Sequence, residues 1–310
     1  MDIKRDWYLP AIDEAYMELA AEKTRSNDIK TIGVVGCGLM GAGIVETCAR
    51  AGYNVVVREI NDDLLQKGLK RIQGSMAKGV EKGKLAQADM DGAMARIKGT
   101  LDMADFKDCE LVIEAAIENM QLKRTIFTEL DSICRDDAIL ASNTSSLCVT
   151  EMAAATERPD KVFGLHFFNP VPVMPLLEIV RALLTSDEVV EVGKALGVKL
   201  GKTVVVAKDR PGFIANLLFI PYALDTIRWL DSGLATREEI DTAMKLGFNH
   251  PMGPLTLCDF VGLDTLLFIA DAMYDEFKDD RYAAPPLLRR MVQAGLLGRK
   301  SGRGFYTYSK

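Results

Sequence analysis

The sequence predicts an α/β domain on a doubly wound, mostly parallel sheet, followed by an all-helical C-terminal domain. Two observations carry this expectation. Over residues 30–208, short β-branched runs alternate with stretches of helical spacing, the pattern of strands joined by helical crossovers. After "DRPGFI" those runs stop, and apolar residues recur at three- and four-residue intervals to the end of the chain.

Taken in order, residues 1–29 form an N-terminal extension in which "AIDEAYMELAAEK", after Pro10, reads as a short amphipathic helix. Its seven acidic residues fit neither a secretory signal nor an acid-poor transit sequence. "KTIGVVG" is the first strand and "LMGAGIVETCARAG" a helix closed by Gly52; "YNVVVRE" is the second strand. Residues 62–98 are too long for a simple crossover and lack a strand pattern. They are expected to form an antiparallel helical arm that projects from the sheet and turns near "EKGKLAQ". Further strands are expected at "CELVIEAA", "DAILASN", "KVFGLHFF" and "GKTVVVAKD". Arg210-Pro211-Gly212 marks the change to residues 209–310, where "NLLFIPYALDTIRWLDSG", "TREEIDTAMKLG", "GLDTLLFIADAMYDEF" and "PPLLRRMVQAG" read as helices. Several of their faces are too apolar for solvent, so this domain is expected to form a homodimer.

Bulk composition narrows the function. A net charge of -6 and a pI near 5.2 argue against a general nucleic-acid binder, which needs a basic face. No apolar run reaches the roughly 18 to 20 residues that span a bilayer. Six cysteines without a CxxC pair, beside two histidines, predict no metal site and reduced thiols in a cytoplasmic protein.

The glycine pattern is more specific. Gly36, Gly38 and Gly41, with Leu39 and Met40 between them, give G-x-G-x-x-G after a strand and at the start of a helix. Such a turn brings backbone N–H groups up to a pyrophosphate, the signature of a Rossmann-type dinucleotide site. Glu59 stands 18 residues past Gly41, at the end of the second strand, where a carboxylate bonds ribose hydroxyls and favours NAD. Arg58 keeps NADP in view, because an arginine there would meet a 2′-phosphate.

With a nicotinamide expected, the chain must supply a proton acceptor. His166 ends a predicted strand, where doubly wound sheets place ligands, and imidazole titrates near neutrality. Glu178 is a candidate orienting carboxylate. Twelve residues separate the two, and Pro170, Pro172 and Pro175 break strand parity between them, so spacing alone does not establish contact. His250, in "NHPMGP", reads as a turn residue.

Seven ordered blocks settle the balance. "GVVGCGLMGAG", "VIEAAIEN", "ASNTSSL", "GLHFFNPVPVM", "RPGFIAN", "DTAMKLGFNHPMGP" and "GRKSGRGFYTY" together resemble the short-chain L-3-hydroxyacyl-CoA dehydrogenase family, especially its bacterial 3-hydroxybutyryl-CoA branch, over residues 30–310. The resemblance implies His166 and Glu178 as the catalytic pair, with Ser145 and Asn216 beside the reacting oxygens. It also implies cofactor contacts at Glu118, Lys123, Ser145, Asn169 and Lys300, and coenzyme A contacts at Ser75 and Lys82 on the arm. The activity it implies is NAD-linked interconversion of (S)-3-hydroxyacyl-CoA and 3-oxoacyl-CoA thioesters, the four-carbon pair being 3-hydroxybutanoyl-CoA and acetoacetyl-CoA. Two positions depart from the family: Leu217 stands where many relatives have arginine, and Pro175 where many have lysine. The departures bear on thioester contacts or on the hinge between domains, not on groups that do chemistry. Rival readings are a dehydrogenase of a free hydroxy acid, and a non-catalytic crystallin-like or dinucleotide-sensing relative.

Overall fold

The structure is a computed structural model that describes residues 29–308. The helix read over 11–23 lies outside the described residues. The chain divides into two compact units between Asp209 and Arg210.

The first unit is built on eight strands: β1 (Thr31–Val35), β2 (Asn54–Arg58), β3 (Ile97–Thr100), β4 (Leu111–Glu114), β5 (Ile139–Ser142), β6 (Val162–Phe167), β7 (Leu176–Arg181) and β8 (Thr203–Lys208). Their order is β3-β2-β1-β4-β5-β6-β7-β8, and every neighbouring pair is parallel except β6 with β7. β4, β5 and β6 are buried at every position and are apolar apart from Glu114, Ser142 and His166, as strands covered on both faces are. Each fully buried Leu111 or Ile113 side chain contributes about 1.5–3 kcal/mol. The winding reverses between β1 and β4, and the carboxyl ends of those strands open the crevice where such sheets take their ligands.

Two strands escape the sequence pattern. β3 is a four-residue edge strand, too short and too exposed to alternate. β7 follows directly on the proline-rich connection at 168–175, which masks it.

The helices covering the sheet are α1 (Leu39–Arg50), α2 (Asp62–Glu81), α3 (Gln87–Ala95), α4 (Met120–Ile133), α5 (Val149–Ala153) and α6 (Asp187–Lys199). The expected arm is α2 and α3, with Gly83 at φ 65° in the turn between them. Asn61 caps α2 by accepting from the Leu64 N–H (2.9 Å), and Asp62 and Asp63 in the first turn complement the helix dipole. The arm projects less than its sequence implies: Leu65, Ile72 and Met76 are buried in the same core as α1 and β1, so one face of α2 is anchored against the sheet domain.

The second unit contains α7 (Ala215–Asp231), α8 (Arg237–Gly247), α9 (Pro254–Val261), α10 (Leu263–Phe277) and α11 (Pro286–Gln293) around a core that includes Leu224, Leu255, Leu266 and Leu288. Thr236 and Glu239 form a reciprocal capping box at the start of α8. Fully buried Asp259 accepts from the Phe305 and Tyr306 N–H groups, each at 2.9 Å, and from the Tyr308 hydroxyl, pinning the C-terminal "GFYTY" to α9.

All six cysteines are unpaired, and burial raises their thiols: Cys37 and Cys134 to about 11, Cys48 and Cys109 to about 12, Cys258 higher still. Only Cys148 is half-exposed, and it too is raised, by burial first. Because the thiolate is the nucleophile, iodoacetamide at pH 8 is expected to label Cys148 first in native protein. The other five should react at least tenfold more slowly than in urea-unfolded chain, which peptide mass spectrometry measures.

Candidate active site

β1 delivers the chain into the glycine turn. Gly36 sits at φ 96°, and a side chain there would strike the Ala115 carbonyl oxygen at 2.8 Å. A Cβ on Gly41 would lie 2.0 Å from the Gly36 carbonyl oxygen, so the first turn of α1 closes on the loop only because no side chain intervenes. A Cβ on Gly38 would meet nothing within 4 Å, which leaves open space above the turn at the amino end of α1. Leu39, at the helix start, is exposed beside that space, with Met40 half-buried behind it. This is the cradle a pyrophosphate requires: room above the backbone, and first-turn N–H groups that lack intrahelical partners.

Glu59 leans back over the turn. One carboxylate oxygen accepts from the Cys37 N–H at 2.7 Å and the other from the Ile60 N–H at 3.1 Å. Arg58 is turned to the Leu101 carbonyl (3.2 Å), so the carboxylate and not the guanidinium is joined to the glycine turn.

A polar cluster lies at the carboxyl ends of β4 and β5. Fully buried Glu114 meets the Lys123 ammonium with both oxygens, at 2.6 and 2.8 Å, and accepts from the Ala116 N–H at 2.7 Å and the Ser142 hydroxyl at 2.6 Å. Lys123, itself buried on the first turns of α4, also reaches Glu118 at 3.3 Å. One Glu118 oxygen then accepts from the Thr144 hydroxyl (2.5 Å) and the Ser145 N–H (3.0 Å), with the Ser145 hydroxyl at 3.5 Å. Glu118, Lys123 and Ser145 are thus brought into one network. Ser145 is not a helix cap: α5 begins at Val149, and Asp209 accepts from the N–H groups of Val149 and Thr150.

His166 and Glu178 face each other across the antiparallel β6–β7 pair, as direct register partners. Nδ1 of His166 lies 2.7 Å from Glu178 Oε2, with the histidine 5% exposed and the glutamate fully buried. A buried carboxylate at that distance holds the imidazole with its proton on Nδ1, which makes Nε2 the basic nitrogen. The Phe168 ring stacks obliquely on the imidazole, centroids 4.5 Å apart. Asn143 accepts from the Phe167 N–H at 3.0 Å, tying the end of β6 to the end of β5. Asn169 follows at the exposed start of the connection. Buried Lys202 donates to the Val171 and Met174 carbonyls, at 2.5 and 2.9 Å, and so staples the connection that contains all three prolines. Burial, and then the like charge of Arg50, hold the Lys202 ammonium below its usual range.

On α2, Ser75 and the capping residue Lys82 line a hollow with Arg50, Lys70, Arg71, Lys78 and Lys84, walled on one side by Pro172 and Val173. In the second unit, Asn216 is the second residue of α7, and Lys300 pairs with Asp264 at 2.5 Å. Glu114, Ser142, Asn143 and Lys202 carry little signal in the sequence. The signal for Glu114 is a lone acid inside the apolar run "LVIEAA". For Lys202 only a lysine next to a strand is visible, and its partners are backbone carbonyls that no pattern reveals.

A Rossmann-type sheet with its glycine turn, an acid at the end of β2 and a buried histidine–carboxylate pair beyond the switch point defines a dinucleotide-dependent oxidoreductase. Comparison with known proteins is sharper. Residues 31–210 match the family model of the 3-hydroxyacyl-CoA dehydrogenase NAD binding domain and residues 212–308 that of the C-terminal domain, and the chain belongs to this family. It is 50% identical over 285 residues to a 3-hydroxybutyryl-CoA dehydrogenase of Mycobacterium tuberculosis, covering 91% of this chain and all of that one. Among solved structures it resembles M. tuberculosis FadB2, with a TM-score of 0.89 at 50% identity over 91% of this chain and 99% of that one. It also resembles the (S)-3-hydroxybutyryl-CoA dehydrogenase PaaH1 of Ralstonia eutropha, with a TM-score of 0.87 at 48% identity over 91% and 100%.

The atom that a Cβ on Gly41 would meet at 2.0 Å is a backbone carbonyl oxygen, not the end of a flexible side chain that could yield. Gly41→Ala is therefore expected to weaken NADH binding at least tenfold in a fluorescence titration, with far-ultraviolet dichroism unchanged.

Proposed function

We propose that this chain is an NAD-linked dehydrogenase interconverting (S)-3-hydroxybutanoyl-CoA and acetoacetyl-CoA, with His166 and Glu178 as its acid–base pair. The observation that carries the reading is the 2.7 Å contact between a buried imidazole and a buried carboxylate, in a family of 3-hydroxyacyl-CoA dehydrogenases.

Gly36, Leu39, Met40 and Gly41 around Gly38 would hold the cofactor pyrophosphate, and Glu59 the adenosine ribose. Glu118, Lys123, Ser145 and Asn169 would complete the contacts within this unit, and the family resemblance assigns a further cofactor contact to Lys300. A bound nicotinamide supplies the hydride acceptor in one direction and the donor in the other. In oxidation His166 Nε2 takes the C3 hydroxyl proton while Nδ1–H stays on Glu178, whose charge balances the new imidazolium. In reduction the same nitrogen returns the proton to the C3 oxygen. Ser145 positions that oxygen through its hydroxyl, and Asn216 offers an amide N–H to a substrate oxygen.

The basic hollow at Ser75 and Lys82 supports a CoA thioester over a free hydroxy acid. Among the described residues lining it, Glu46 is the one acid beside Arg50, Lys70, Arg71, Lys78, Lys82 and Lys84, and it is paired with Arg50. That is a local field for phosphate groups on an otherwise acidic protein. The second unit exposes Leu218, Trp229, Leu246 and Phe248, which supports a homodimer formed through it; light scattering after size exclusion should then give twice the chain mass. Six unpaired cysteines support a reducing, cytoplasmic location. Among the described residues no helix is long and apolar enough to cross a membrane.

The test is NADH oxidation with acetoacetyl-CoA. Wild type should turn over with NADH well ahead of NADPH. His166→Ala should lose about 10²- to 10⁴-fold in kcat, the range for a general acid–base group, with NADH affinity kept. Glu178→Gln should fall in kcat by at least tenfold. Turnover of acetoacetate in place of its thioester would overturn the substrate assignment, and preference for NADPH would transfer cofactor selection from Glu59 to Arg58.

A further inference from the structure

We propose that Glu114 is a positioning residue for the cofactor side of the site. Buried at the carboxyl end of β4, it fixes the relative places of the β4–α4 connection, the end of β5 and the start of α4 through one carboxylate. The proposal rests on the reading above that Glu118 and Ser145 meet the cofactor.

Each contact of Glu114 reaches a different element: a loop, the end of β5 and the start of α4. Its bond to the Ala116 N–H (2.7 Å) shapes the β4–α4 connection. That connection carries Ala115, whose carbonyl closes on Gly36 and whose methyl lies 3.6 Å from the Cβ position of Gly41. The glycine turn is therefore braced from below by a backbone that Glu114 holds. Its bond from the Ser142 hydroxyl (2.6 Å) organises the β5–α5 connection, because the same hydroxyl oxygen accepts from the Thr144 N–H at 3.2 Å. Its third hold is on Lys123, and this one carries charge.

Lys123 sits in the first turns of α4, where the positive end of the helix dipole already disfavours a cation. It is 1% exposed, so water does not stabilise it. Two carboxylates do, unequally: Glu114 at 2.6 and 2.8 Å, Glu118 at 3.3 Å. While Glu114 takes most of the ammonium, Glu118 keeps one oxygen for Thr144 and Ser145. Replacing Glu114 by a neutral amide leaves Lys123 with one carboxylate. The ammonium then closes on Glu118 and draws it from Ser145, and the Ala116 and Ser142 donors lose a charged acceptor in the same step. A residue that touches neither cofactor nor substrate thereby sets the position of groups that do.

A purely structural glutamate would lower thermal stability and leave the kinetics of the folded fraction alone. A positioning role separates the cofactor from the substrate. In Glu114→Gln, NADH Kd should rise about tenfold and kcat should fall about tenfold, with KM for acetoacetyl-CoA within twofold of wild type. Ser142→Ala removes one hydroxyl donor and no charge, so it keeps the test open if Glu114→Gln does not fold. It should raise NADH Kd about threefold, again with the acetoacetyl-CoA KM unmoved. Assays run well below each variant's Tm, with Glu118→Gln alongside. Weakened NADH binding in Glu118→Gln beside unchanged binding in Glu114→Gln and Ser142→Ala would overturn this proposal alone. Unchanged binding in Glu118→Gln would overturn the cofactor reading of Glu118 and this proposal with it. An acetoacetyl-CoA KM that rises in step with the NADH Kd would also overturn it, because that is general loosening of the unit.

Discussion

The chemistry of the first unit depends on a single antiparallel step in an otherwise parallel winding. β6 and β7 run in opposite directions, and their register sets His166 against Glu178. Side chains alternate along a strand, so a slip of one residue would turn one partner to the opposite face of the sheet and separate the pair. The register is held from several sides. β8 pairs β7 along six positions, Asn143 secures the end of β6, and Lys202 holds the connection between the two strands. The buried carboxylate is costly to desolvate and tolerable because the imidazole lies 2.7 Å away.

The same sheet gathers its remaining polar groups at the carboxyl ends of β1, β4 and β5, beside the reversal of winding. Below that edge the strands are apolar and fully buried; at it stand Glu114, Ser142 and Thr144, with Lys123 brought up from α4. Hydrogen bonds inside a protein strengthen as the surroundings dry, and so does the cost of leaving one unmade. A cluster in which the Glu114 carboxylate has four donor contacts and Glu118 spans two loops is accordingly stiff, a favourable property for a surface that must meet a large cofactor without rearranging.

Much of this was legible in the sequence wherever the determinant is local. The glycine turn, the acid at the end of β2 and the strands β1, β2, β4, β5, β6 and β8 follow from short-range pattern and spacing. The division between an alternating half and a helical half follows in the same way. β3 was hidden because four half-exposed edge residues carry no alternation, and β7 because Pro170, Pro172 and Pro175 interrupt the pattern just before it. The loss of β7 also hid the contact between His166 and Glu178, since only an antiparallel return makes residues 12 apart into neighbours. Glu114 with Ser142, and Lys202 with the Val171 carbonyl, are pairs distant in sequence and set by the stacking of strands; one of them involves backbone oxygens that every residue has. The arm was legible as two helices and a turn, but its anchoring through Leu65, Ile72 and Met76 needed the core on which they lie.

The grip of Lys202 on the connection between the acid–base strands is on carbonyl oxygens, and carbonyls do not change when side chains do. Val173 is exposed and Pro172 half-buried, both on the wall of the basic hollow, while the backbone beneath them is fixed by the ammonium. Substitutions at Pro172 or Val173 can alter what the hollow admits while the His166–Glu178 distance stays set from below. The loop therefore pairs an exposed outer face with a backbone held from below, so its side chains can change without moving the acid–base pair.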